Sequence, residues 1–197
     1  MELKREPKTE VEYWEIIEAL GGMIWRTKHN MADGRVEDPN GNLAKEIEVA
    51  EQISQRLITK LGEKFGVIHP KDCPKIDSGQ AVPPPPDGKI YYWDWYKKMK
   101  KVIYSKDYEE MICSACPFSE GLQRMMDLGG VIPCKVFHGM MYRLRQPYEC
   151  GMLRSDGWDK KRLNAEIVKK AGKETLVQFL KKEECLRNKS QGSTVKA

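Results

Sequence analysis

The sequence has no apolar run approaching the roughly 20 residues that a membrane-spanning helix requires, so we expect no membrane partner. No apolar stretch follows the charged N-terminal residues either, which argues against a secretory signal and favours a cytoplasmic protein. Histidine is scarce, with three residues in a chain of 197, and no recognised RNA- or DNA-binding motif is present. These absences argue against a membrane protein, a secreted protein and a dedicated nucleic-acid reader.

The composition is that of a soluble globular protein, because 32% of the residues are charged and 40% are hydrophobic. The length suits one domain with appendages or two small domains. The chain has six cysteines. In a reducing cytosol these are expected to be free thiols, metal ligands or redox groups in preference to a disulfide framework, although the even number is compatible with disulfides.

Four of the cysteines fall in one short segment, which therefore holds the candidate site. Cys113 and Cys116 form a Cys-x-x-Cys pair followed directly by proline, and Cys134, His138 and Cys150 come after them. Two thiolates on one tight turn can share a metal ion, and the later residues can complete a four-ligand shell. A single pair is a less specific signature than two pairs.

Several chemistries compete for these residues. Zinc would take Cys113, Cys116, Cys134 and His138 in a closed structural site. A [4Fe-4S] cluster would take four thiolates, with Cys150 in place of His138. In catalysis, Cys134 would be the nucleophile and His138 its base. The remaining alternative is that the thiols neither bind a metal nor catalyse a reaction and pack in the core as small hydrophobic groups.

Local patterns predict a mostly helical α+β fold. Thr9 is expected to cap a first helix that ends before Gly34, and a second helix is expected from about Leu43 to Phe65, so that the two form an antiparallel hairpin. Four successive prolines then favour an extended linker. The predicted divisions are an N-terminal helical hairpin, a Pro-rich linker, a Cys-rich α+β core and a basic C-terminal helical pair, at residues 1–66, 67–88, 89–157 and 158–197.

Within the Cys-rich core, we predict a helix over 118–128 with Pro117 in its first position, which would put Cys113 and Cys116 at a helix N-terminus. A second short helix is predicted after Pro133. Its spacing would place Cys134 and His138 on one face, four residues apart. The C-terminal segment is predicted to form two helices joined near glycine 172.

Two features predict partners. The residues from 159 to 197 include eleven Lys and Arg against five Asp and Glu, so the C-terminal helices could dock on a larger protein partner with an acidic surface or, less favoured, on nucleic acid. The simpler alternative is a solvated helix face, because the lysines are interleaved with glutamates. The segment 89–106 interleaves tyrosine and tryptophan with lysine, a pattern that could bind single-stranded nucleic acid. We favour the other interpretation, an amphipathic helix with its rings in the core and its lysines in water.

From Ile112 to Leu153 the order of the motifs resembles the cysteine-rich small proteins related to L-2-amino-thiazoline-4-carboxylate hydrolases, and more loosely the 4-vinyl-reductase type ligand-binding domains. The matching positions are Cys116 with Pro117, Cys134 and Cys150. The resemblance implies an α+β core whose cysteines ligate a metal or cluster or open a ring hydrolytically. This chain has Lys135 where the hydrolases have an aspartate soon after the middle cysteine, which argues against hydrolase activity.

Taken together, the sequence favours a cytoplasmic zinc- or iron–sulfur-binding accessory protein, or a subunit of a larger enzyme system of anaerobic metabolism. The first alternative is a Cys-dependent hydrolase of a small amide-like or heterocyclic substrate. The second is a basic, aromatic nucleic-acid-binding module.

Overall fold

The computed structural model describes residues 6–75, 81–129, 131–136, 139–141, 147–151, 153 and 157–192. The chain forms two compact units, Met1–Lys100 and Lys101–Ala197. Helices account for most of both units, so the mostly helical α+β class is confirmed. In the part of the chain that is described, no helix is long and apolar enough to cross a membrane.

The first unit is built on a helical hairpin of α1, Glu10–Ala32, and α2, Asn42–Phe65. Thr9 begins α1 with a capping box: its side chain accepts from the Glu12 N–H, and the Glu12 carboxylate accepts from the Thr9 N–H. The rings of Tyr13 and Phe65 meet edge to face at 5.9 Å, which joins the start of α1 to the end of α2. The predicted antiparallel hairpin is therefore confirmed.

The segment that was predicted to be a linker contributes to this unit. Strand β1, Val67–Ile68, pairs in parallel with β2, Ile90–Tyr91, and a 3-10 turn at Pro70–Asp72 follows β1. Gly66 makes this return feasible because its φ is +70° and a Cβ there would lie 2.8 Å from the Gly88 carbonyl oxygen. The strand pair brings the chain back to the hairpin at the start of α3.

Helix α3, Tyr92–Glu109, carries most of the aromatic residues of the 89–106 segment and passes through the boundary between the units. Trp95 is fully buried and donates from Nε1 to Glu10 Oε1 at 3.0 Å. Tyr92 and Tyr104 are also buried, whereas Trp93 is exposed. Since most of the named rings are buried, an amphipathic helix with its rings inward accounts for the alternation of aromatic residues and lysines.

The second unit contains a 3-10 turn at Ile112–Ala115, helix α4 at Gly121–Asp127, an antiparallel hairpin and the long helix α5 at Lys160–Gly192. The hairpin pairs β3, Ile132–Cys134, with β4, Gly139–Met141. Helix α5 is interrupted at Gly172, whose φ of 84° and ψ of 170° are non-helical, so two helices do join there as predicted. One core cluster unites the elements of this unit: Ile112, Phe118, Leu163, Ile167, Phe179 and Leu186.

Two local predictions in this unit are wrong. Residues 132–134 and 139–141 form paired antiparallel strands where a helix was predicted after Pro133: Cys134 pairs with Gly139 and also forms a bridge with Ser119. Pro117 does not begin a helix, since α4 starts at Gly121 after a turn. The Cys-x-x-Cys pair consequently lies in and just after a 3-10 turn, and not at the N-terminus of an α-helix.

Candidate metal centre

The Cys-x-x-Cys loop follows directly from the end of α3. Cys113 lies within the 3-10 turn, and the Cys116 N–H closes that turn by donating to the Cys113 carbonyl oxygen at 3.2 Å. A further turn follows, in which the Ser119 N–H donates to the Cys116 carbonyl oxygen, also at 3.2 Å. Tyr108 fixes the loop from α3, since its hydroxyl donates to the Cys113 carbonyl oxygen and hydrogen-bonds Ser119 Oγ.

Backbone hydrogen bonds bring the other two cysteines to this loop. The Lys135 N–H donates to the Phe118 carbonyl oxygen at 2.9 Å, which places β3 and its Cys134 alongside the loop. The Ile112 N–H donates to the Pro147 carbonyl oxygen at 2.7 Å, which holds the segment 147–151 and its Cys150 on another side. These short contacts explain how residues far apart in the sequence become neighbours.

All four cysteines, Cys113, Cys116, Cys134 and Cys150, are partly buried and pack against the core cluster of the second unit. The other two cysteines lie elsewhere. Cys73 belongs to the first unit, where its Sγ donates to the Ile68 and His69 carbonyl oxygens, and Cys185 is exposed on α5. The structure thus separates four clustered thiols from two isolated ones.

The clustered thiols influence one another electrostatically. Burial raises the pKa of Cys113 far above its ordinary value, and negative charge on Cys116, Cys150 and Cys134 would raise that pKa further. Burial likewise raises the pKa of Cys116 to about 11, with smaller contributions from Cys150 and Cys134. Backbone hydrogen bonding from Phe118 and Ser119 acts in the opposite direction and favours the Cys116 thiolate. A free Cys113 or Cys116 is therefore a neutral thiol at pH 7 and a poor nucleophile.

The packing of four cysteines against one cluster does not by itself make a metal site. Among the described residues, no group of three or more His, Cys, Asp or Glu side chains is arranged to hold a metal ion as it stands. A tetrahedral shell with metal–sulfur bonds of about 2.3 Å needs sulfurs roughly 3.8 Å apart, whereas electrostatic effects on pKa extend over longer distances. Metal binding at these thiols therefore requires a rearrangement of their side chains.

The catalytic prediction loses its geometric basis. It depended on a helix that would place Cys134 and His138 on one face, and Cys134 lies at the end of a strand instead. His138 falls outside the described residues. Hydrolysis by Cys134 stays a prediction without support from a described contact.

Four residues that contact the elements of this site were not predicted from the sequence: Tyr108 on α3 and Lys170, Glu183 and Arg187 on α5. Lys170 Nζ lies 5.7 Å from the ring centroid of Phe118, in the loop that carries Cys116. Arg187 lies over Tyr148, two residues before Cys150. The i, i+4 spacing of Glu183 and Arg187 is typical of an ion pair on a helix, but the contacts of that pair with Lys160 and Tyr148 depend on tertiary structure.

Comparisons with protein-family models, with curated proteins and with solved structures found no match to this chain. The resemblance to the hydrolase-like family therefore stays a prediction, and the functional argument has to be made from the residues of this chain.

Proposed function

We propose that this chain is a cytoplasmic metal- or iron–sulfur-binding accessory protein, whose centre is held by Cys113, Cys116, Cys134 and Cys150. The observation that carries the proposal is the packing of four cysteines, from three separate segments, against one core cluster. Buried structural thiols need no such convergence, and Cys73 and Cys185 do not take part in it.

The four cysteines are ligands of the type that the proposed metal centre requires. Four thiolates suit both a structural zinc ion and a [4Fe-4S] cluster. Peptide N–H groups directed at a metal-bound sulfur offset part of its negative charge, and the Phe118 and Ser119 backbone supplies such hydrogen bonding to Cys116. Bound metal would supply a covalent link between the loop, β3 and the segment 147–151. His138 stands as the alternative fourth ligand for zinc.

The basic C-terminal helix supports the accessory role. Helix α5 carries ten Lys and Arg against four Glu, and Lys161, Lys169, Lys173 and Lys181 are among its exposed cations. We propose that this surface docks on an acidic face of a larger enzyme, one of anaerobic metabolism if the centre is an iron–sulfur cluster. An excess of one charge accelerates association with an oppositely charged partner and makes binding sensitive to salt.

Elemental analysis of protein purified without oxygen tests the proposal. We expect either zinc in stoichiometric amount, or iron and sulfide with a brown colour and broad visible absorption. Replacement of Cys113, Cys116, Cys134 or Cys150 by serine should lower the metal content. Cys73→Ser and Cys185→Ser are the matched controls and should retain it.

Two results would contradict the proposed function. One is wild-type protein that contains neither metal after purification and takes up neither on reconstitution. The other is an equal loss of metal in Cys185→Ser and in the four site variants, which would indicate adventitious binding by thiols in general.

A further inference from the structure

The part of α5 that follows Gly172 packs against the thiol site. Phe179 and Leu186 belong to the same core cluster as the four cysteines, and both are almost completely buried. Lys182 Nζ donates to the carbonyl oxygen of Glu109, the last residue of α3, shortly before the Cys-x-x-Cys loop. This stretch of helix therefore contacts the elements that lead into the site.

Arg187 contacts Tyr148, which lies two residues before Cys150. Its guanidinium carbon lies 5.3 Å from the ring centroid of Tyr148, a cation–π arrangement. Tyr148 belongs to the segment 147–151, whose Pro147 carbonyl oxygen accepts from the Ile112 N–H. The segment that carries Cys150 is thus held by the Cys-x-x-Cys loop through its backbone and by α5 through a side chain.

Arg187 is itself held in place. Its Nη2 donates to Glu183 Oε1 at 2.7 Å, and Lys160 Nζ donates to the same oxygen at 2.8 Å from the first turn of α5. Glu183 is the one charged side chain that is buried among the residues described. The hydrogen bond to the buried Glu183 carboxylate restricts the orientation of the Arg187 guanidinium more than solvent would. The stacking of Arg187 on Tyr148 therefore has a defined geometry.

We infer that Arg187 is a positioning residue for the metal centre: by stacking on Tyr148 it holds Cys150 where it can serve as the fourth ligand. This inference rests on the proposed function. It also assigns the fourth position to Cys150 in preference to His138.

If Arg187 positions Cys150, metal binding and the packing of α5 against Tyr148 strengthen each other. An interaction that keeps Arg187 over Tyr148 raises the affinity for metal. Bound metal must then favour the contact of α5 with Tyr148 by the same factor. A partner that engages the basic face of α5 would then influence how firmly the centre is held.

Zinc affinity, measured by competition with a chromophoric chelator, tests this role. Arg187→Gln should weaken zinc binding by about 10- to 100-fold, the usual effect of removing a group that orients a ligand. Lys181→Gln removes the same charge from an exposed position of the same helix and should change nothing. Tyr148→Phe keeps the ring and should bind normally, whereas Tyr148→Leu should reproduce the loss.

A second readout identifies the ligand that is lost. In the cobalt-substituted Arg187→Gln protein, sulfur-to-metal charge-transfer absorption should fall toward that of a three-thiolate centre. In the zinc-loaded variant, alkylation mapped by mass spectrometry should reach Cys150 while Cys113 and Cys116 stay protected. A merely structural Arg187 would expose all three together, or none.

The outcomes distinguish the inference from the proposed function. If wild-type protein binds no metal, both fail. If wild-type protein binds metal and Arg187→Gln matches Lys181→Gln in affinity and in Cys150 protection, the positioning role alone is overturned. Should Arg187→Gln fail to fold, the comparison of Tyr148→Phe with Tyr148→Leu decides, and equal affinity in those two overturns the role.

Discussion

Replacing Glu183 by glutamine tests how much the buried carboxylate of α5 stabilises the second unit. The side chain of Glu183 is 11% exposed, and its Oε1 accepts from Lys160 at 2.8 Å and from Arg187 at 2.7 Å. Glutamine keeps the shape and one acceptor oxygen but removes the negative charge. The substitution therefore isolates the electrostatic part of the two contacts.

The expected loss follows from the exposure of the partners. Removing one member of a fully buried ion pair costs about 3–5 kcal/mol, because the other charge is left without water. Lys160 and Arg187 are 53% and 48% exposed, so both can recover hydration when the carboxylate is removed. Exposed pairs contribute about 0.2–1 kcal/mol each. We expect a decrease of about 1–2 kcal/mol in the free energy of unfolding, between these limits.

Urea unfolding followed by far-ultraviolet circular dichroism measures this change, and Glu184→Gln, one residue along and exposed, is the matched control. A loss in Glu183→Gln no larger than that in the control would refute the idea that the carboxylate organises α5. A decrease in unfolding free energy of more than about 4 kcal/mol in Glu183→Gln would refute the assumption that Lys160 and Arg187 recover their hydration when the carboxylate is removed.

Three further predictions concern the first unit. Gly66→Ala should lower the free energy of unfolding by more than about 1 kcal/mol, because the new Cβ would meet the Gly88 carbonyl oxygen at 2.8 Å and the φ of Gly66 is +70°. The control Gly21→Ala lies in a helix with open space around it and should raise the free energy of unfolding by about 0.5–1 kcal/mol. Equal effects of the two substitutions in urea unfolding would contradict this reasoning. Burial, with Glu18 nearby, raises the pKa of Tyr92 from 10.0 to about 12. The contribution of the neutral Tyr92 to stability is therefore complete below pH 10 and is lost as the pH rises toward 12. Tyr92→Phe should flatten this decline in unfolding free energy, and the same dependence on pH in both proteins would exclude the effect. Thr9→Ala should cost about 1 kcal/mol by removing the capping box, while Thr27→Ala, within α1, should cost less than that; thermal unfolding compares the two, and the reverse order would be incompatible with the cap.

Segments with strong local signals were predicted correctly. The Thr9 cap, the end of α1 before Gly34, and α2 from its first turn to Phe65 depend on contacts between residues close in sequence. The break at Gly172 belongs to the same group, since only glycine adopts its backbone angles without strain. The cysteine spacing predicted the candidate site, and the four cysteines do pack against one core cluster, but their role as ligands stays a prediction.

The hairpin of β3 and β4 could not be predicted in this way. The apolar spacing after Pro133 fits a helical face, and a short segment of this kind is ambiguous between helix and strand. The bridge between Cys134 and Ser119 is a contact with a different part of the chain, and it favours the extended form. The parallel pairing of Val67–Ile68 with Ile90–Tyr91 across a proline-rich segment is equally non-local.

The sequence by itself determined α1 and α2 with their ends, the break at Gly172 and the four candidate thiols, because these follow from residue type and from spacing along the chain. Only the tertiary structure decided that Cys113, Cys116, Cys134 and Cys150 share one core cluster, that Cys73 and Cys185 do not, and that Arg187 lies over Tyr148. The physical reason is that these contacts join residues far apart in the chain. They form when apolar surface is buried together, and local periodicity contains no record of which distant surfaces will meet.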